Sequence, residues 1–191
     1  RKIVLFDGNY NDNQYYGFGI NNNILRYQID ATAASHVFYA GASIGSSNEL
    51  MRIKGNGNVG IGTNSPNAPL QFANSLVNRK IVLYDGNNND NQFYGLGLNS
   101  GALRYQVDAP TADHVFFAAT GAASSNELLR IKGNGNVGIG NNNPIRPLSF
   151  PATLGEKILL YPGVNGETGI GVYGNELRLH TDNTVGKVSF G

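Results

Sequence analysis

The chain has 191 residues, only 14% of them charged, with a formal net charge of +1 and no cysteine. That balance offers no basic stripe to nucleic acid, and the missing cysteines exclude a disulfide framework and a thiolate metal site. No apolar run approaches the roughly 20 residues of a membrane helix. Glycine (26) and asparagine (27) make up more than a quarter of the sequence, and both suit tight turns. With 40% hydrophobic residues in short, regularly spaced runs, the composition is that of an ordered chain with many corners.

Taken in chain order, strands are predicted over 2–6, 14–20, 24–30, 36–40, 49–54, 58–62 and 69–72. These runs are rich in Val, Ile, Leu, Phe and Tyr and are punctuated by Gly, Asn, Asp or Pro. A spacing near ten residues points to an all-β architecture. The Ala-rich stretch 31–34 is too short for a helix. Within 24–30, Leu25, Tyr27 and Ile29 share one face, and Arg26, Gln28 and Asp30 share the other. Within 58–62, Val59 and Ile61 are expected inside. The glycines opposite them are expected to let another backbone approach, as strands wrapped around a thin axis would need.

The same runs return 78 residues later. Residues 1–78 and 79–156 align without a gap, and 49 of the 78 positions are identical. Exchanges within the runs keep apolar bulk: Phe6 becomes Tyr84, Tyr15 becomes Phe93 and Met51 becomes Leu129. Residues 42–45 and 120–123 vary more and read as linkers, as do Ser46, Ser47, Ser124 and Ser125. A shorter third copy occupies 157–191. In it Ile170 and Leu177 take the places of Leu96 and Leu103, Asp182 that of Asp108, and Lys187 that of His114. Three domains are therefore expected, at 1–78, 79–156 and 157–191. A long-period repeat is the mark of an array whose units pack mainly on their neighbours. No signal peptide is visible, and the first residues already read as a repeat strand, so the chain is expected to be a segment of a longer protein.

One stretch runs Arg52-Ile53-Lys54-Gly55-Asn56-Gly57-Asn58-Val59-Gly60-Ile61-Gly62-Thr63-Asn64-Ser65-Pro66. It returns from Arg130 through Gly140 to Pro144. It resembles the Gly-Asn-Val-Gly-Ile-Gly-Thr-x-x-Pro segments of phage tail-fibre and tail-spike shafts, which are also similar to segments of bacterial surface proteins and large-virus fibre proteins. The resemblance implies an elongated, intertwined homotrimeric β-fibre, β-prism or β-helix-like. It also implies use in attachment at an extracellular or virion surface.

Candidate chemistry is sparse. His36 and His114 recur at a strand start; on a trimer axis three copies of such a residue could ligate a metal. The plainer reading is a hydrogen-bonded or solvent-facing histidine, and no metal or other cofactor is expected. The segments beginning at Asp7 and Asp85 have oxygens at alternate positions, as a calcium loop does. They lack its glycine and its closing glutamate, and read as Asx-rich turns. Gly17-x-Gly19 and Gly55-x-Gly57 lack the helix and the Lys-Ser/Thr of a phosphate loop. No pair of acids suits glycoside hydrolysis. Glu49 with Arg52, and Glu127 with Arg130, read as salt bridges across strands or chains. Tyr10, Asn13, Gln14 and Tyr15 form a turn whose aromatic and amide groups suit a cell-surface glycan, with inter-chain packing as the plainer reading.

The expectation is a non-enzymatic structural protein: a shaft segment of a trimeric fibre that extends an attachment appendage. Its partner is itself, as a homotrimer or an end-to-end filament, without nucleic acid or membrane insertion. The alternative is a tandem β-sandwich adhesin module that binds carbohydrate.

Overall fold

The computed structural model describes residues 2–162 and 167–181. Among them the chain is all-β. Seven strands make up the first repeat: β1 (Ile3–Phe6), β2 (Tyr16–Asn21), β3 (Ile24–Gln28), β4 (Ser35–Ser43), β5 (Ser46–Lys54), β6 (Val59–Ile61) and β7 (Leu70–Phe72). The second repeat supplies β8 (Ile81–Tyr84), β9 (Tyr94–Asn99), β10 (Ala102–Gln106), β11 (Asp113–Gly121), β12 (Ser124–Lys132), β13 (Val137–Ile139) and β14 (Leu148–Ser149). The third contributes β15 (Gly155–Tyr161), β16 (Thr168–Tyr173) and β17 (Glu176–His180). The third-copy matches expected at Asp182 and Lys187 lie outside the described residues. Among the described residues no helix is long and apolar enough to cross a membrane.

Five open sheets result among the described residues. Each repeat opens with a three-stranded sheet, β1-β2-β3, β8-β9-β10 and β15-β16-β17. In the first two copies a four-stranded sheet follows, β4-β5-β6-β7 and β11-β12-β13-β14. The first strand of every repeat is an edge strand. Hairpins are closed by residues that accept positive φ, Asn22 and Asn23 between β2 and β3, and Gly45 between β4 and β5. Residues 42–45, read from sequence as a linker, are in fact the end and tip of the β4–β5 hairpin, and Ser46 and Ser124 begin strands. The sequence there is variable because that hairpin end is exposed on both faces.

Two compact units divide the chain. One holds residues 1–80 with 97–104, the other 81–96 with 105–191. The stretch 97–104 belongs to the first unit because Leu98 N donates to Val77 O at 2.9 Å, and because Gly97 lies flat on Asn78.

Burial runs opposite to the expected alternation. In β2 the glycines Gly17 and Gly19 are buried while Phe18 and Ile20 are exposed. In β3 Leu25 and Tyr27 are exposed and Arg26 and Gln28 are the more covered. In β6 Gly60 is buried and Ile61 is exposed. The physical reason lies in the polar groups. Arg26 donates to Asp12 O at 3.2 Å and to Gln28 Oε1 at 2.6 Å, and Gln28 donates to Asn13 O at 3.0 Å. The backbone that crowds Gly60 belongs to Thr63 of the same repeat, with Pro66 on top. Within a chain, therefore, glycines and hydrogen bonds hold the inner faces, and the apolar faces are left open. Tyr15 and Phe93 are the buried large apolar side chains among the described residues, against 39 exposed ones.

Bulges punctuate the ladders. Leu5 has no partner residue between Val4↔Gly17 and Phe6↔Tyr16, and Leu83 and Leu160 repeat this on β8 and β15. Leu50 is the extra residue between Met51 and Glu49, and Leu128 repeats it. Ala42, Thr120 and Lys157 are further extra residues.

Candidate functional site

Each of the first two repeats builds the same polar cleft between its three-stranded and four-stranded sheets. In the first it has about 450 Å³ and is lined by Asn13, Gln14, Gln28, Ile29, Asp30, Ala31, Thr32 and Gly55. In the second it has about 370 Å³, and Asn91, Gln106, Val107, Asp108, Ala109, Pro110 and Gly133 stand at the equivalent places, joined by His114.

Two consecutive Asx turns lead up to Asn13 and Gln14. Asp7 Oδ1 accepts from the amides of Asn9 (3.2 Å) and Tyr10 (2.6 Å). Asn11 Oδ1 then accepts from those of Asn13 (2.9 Å) and Gln14 (2.8 Å). The second repeat reproduces both turns at Asp85 and Asn89. The oxygens that a calcium loop would present are thus aimed at backbone amides. Among the described residues no group of three or more metal-binding side chains is present. The opposite wall depends on Gly55. Its amide donates to Ala34 O at 2.8 Å, and a Cβ there would stand 2.6 Å from Ala31 O. Gly133 repeats both features. The Tyr16 hydroxyl is held above its ordinary pKa, chiefly by its hydrogen bond to the carboxylate of Asp30, which lines the cleft; Tyr94 and Asp108 repeat the pair.

Of the four residues proposed for glycan contact, Asn13 and Gln14 line the cleft, and Tyr10 is 85% exposed. Tyr15 is a correction. Its ring has no exposure, Arg26 Cζ lies 5.9 Å from its centroid, and its hydroxyl is buried without a partner. The ring is drawn in because the strand that follows has glycines, not side chains, on its inner face.

His36 packs on Tyr27 at 4.4 Å between ring centroids, and Tyr27 stacks on Phe18 at 5.0 Å. Its Nδ1 is buried without a partner. The histidine thus extends an aromatic ladder from one sheet to the next. His114, by contrast, lines the cleft.

Glu49 and Arg52 form a forked pair at 2.8 and 2.7 Å, as do Glu127 and Arg130 at 2.8 and 2.6 Å. These pairs lie along one strand rather than across strands. The bulges at Leu50 and Leu128 supply the extra half-period that brings residues three apart onto one face. In the second repeat Asp113, on the neighbouring strand, also pairs with Arg130. Each carboxyl is held below the ordinary glutamate range, first by its hydrogen bonds to the arginine.

Sequence reasoning missed one cluster. Glu156 Oε2 accepts from Tyr173 Oη at 3.3 Å and lies 3.1 Å from His180 Nε2. Glu156 closes the second repeat in sequence but opens β15 in space, and neither Asn78 nor Gln106 of the aligned positions signals the pairing.

No protein-family model and no curated protein matches this chain. Its functional reading rests on its own residues and on the segment resemblance given above.

Proposed function

We propose that the chain is a structural, non-catalytic shaft segment of a homotrimeric fibre, extending an attachment appendage at a virion or cell surface. The observation that carries this reading is the inversion of burial. Among the described residues two large apolar side chains are buried and 39 are exposed. The accessible surface is 13568 Å². Two independent compact units of half the 20.4 kDa mass would together expose roughly 10,600 Å². The excess of roughly 3,000 Å² is several times the roughly 800 Å² per partner of a standard interface. A chain whose apolar faces point out, repeated at a fixed period, completes its core between chains. The number three comes from the resemblance of the Gly-Asn-Val-Gly-Ile-Gly segments.

The role of the repeat is then to set length. Deleting residues 79–156 joins the first copy to the third in phase. The expected result, by negative-stain electron microscopy, is an intact assembly shortened by one repeat. Particles of unchanged length, or loss of assembly, would count against a shaft.

The twofold-repeated polar cleft favours a second reading at that site: contact with a surface glycan through its amide side chains. The tandem-sandwich form of that reading is weaker, since a sandwich buries side chains between its own sheets.

A further inference from the structure

The bulges do more than serve the chain that carries them. A bulge gives up ladder pairing in order to re-aim a side chain. Here the re-aimed residue is a leucine at the same place in all three first strands, and it is delivered to water. Leu5 is 70% exposed, Leu83 79% and Leu160 66%, each the most exposed residue of its apolar run. Leu50 and Leu128 repeat the device on β5 and β12, each 52% exposed. Edge strands of native proteins normally carry charge or proline at such places. These edges carry Ile-Val-Leu-Phe, Ile-Val-Leu-Tyr and Ile-Leu-Leu-Tyr.

We infer that the bulge leucines, Leu5, Leu83 and Leu160 with Leu50 and Leu128, are knobs that seat in other copies of this same chain. The period selects the occupant. Identical leucines recur at a 78-residue step between Leu5 and Leu83 and between Leu50 and Leu128. A surface that receives both members of a pair equally must carry the same step, and another copy of this chain does. The excess accessible surface is large enough for more than one such contact. The inference rests on the shaft reading and adds to it which residues make the joint.

The chain has no cysteine, so a single introduced thiol is a clean probe. The variants are Leu5→Cys, Leu83→Cys, Leu160→Cys, Leu50→Cys and Leu128→Cys, with Asn87→Cys on an exposed turn as reference. The measurement is the rate of maleimide labelling of the native protein, beside its mass by light scattering. Bulge thiols are expected to react roughly tenfold or more slowly than the reference, and equally fast in guanidinium. A Leu5→Ser/Leu83→Ser/Leu160→Ser chain is expected to dissociate at a concentration higher by roughly tenfold or more. A multi-chain parent whose bulge thiols label at the reference rate overturns the knobs and leaves the shaft standing. A monomeric parent overturns both, and makes an unrelated protein the remaining candidate to cover these leucines.

Discussion

Tyr15 and Phe93 occupy the same buried position in successive repeats, and they differ by one hydroxyl. That hydroxyl has no partner in the chain. A buried polar group left unsatisfied costs about 1–3 kcal/mol. Tyr15→Phe is therefore expected to raise the urea or thermal midpoint, by about 1 kcal/mol. A fall of that size would mean that the hydroxyl has a partner in the assembly. The glutamate–arginine forks give a second residue-scale test. Because Glu49 and Glu127 have lowered pKa values in the folded chain, the folded state binds their protons more weakly than the unfolded state does. Their contribution is full above the ordinary glutamate value of 4.5 and drains away as pH falls below it. Unfolding midpoints are expected to drop below that pH, with a flatter profile for Glu49→Gln/Glu127→Gln. An unchanged profile would place the acid sensitivity elsewhere. The fork was legible as a charge pair from its three-residue spacing. Its geometry was not, because a bulge leaves no mark in the sequence of the strand that carries it.

At the scale of elements, the strands follow from their sequence runs with little adjustment. Apolar runs bounded by Asn and Gly have few other ways to satisfy their backbone. The direction of burial was not legible. Alternation in 24–30 tells which residues share a face, and says nothing of whether that face meets its own chain or another. Arg26 and Gln28 look like a solvent face, yet they are tied to carbonyls within the repeat. The Gly-Asn-Val-Gly-Ile-Gly segment has a local meaning. Gly60 and Gly138 make room for Pro66 and Pro144, which are fully buried. Asn141 replaces Thr63 without loss, since it donates to Phe150 O at 3.0 Å and accepts from Asn143 N at 2.9 Å. Gly133 is the sharpest handle on the cleft. A Cβ there meets three backbone carbonyl oxygens at 2.7 Å, and backbone yields less than a side chain. Gly133→Ala is expected to destabilise by about 1–3 kcal/mol, read as a lower denaturant midpoint. An unchanged midpoint would show that the turn at 109–112 is free to shift.

For the whole molecule, the sequence period carried most of the information and the structure supplied its sense. Repeats of 78 residues are long enough to fold singly, and nothing in their composition forbids it. The open apolar faces argue that these do not. Both readings of the exposed turns then take second place to assembly, because the faces that look available on one chain are the ones that other copies would cover. The decisive measurement is the solution mass of the unmodified chain by light scattering after size-exclusion chromatography, over a range of concentrations. A mass near three chains, held on dilution, is the expected result. A compact, stable, single-chain mass at all concentrations would contradict the claim that this protein completes its core between copies.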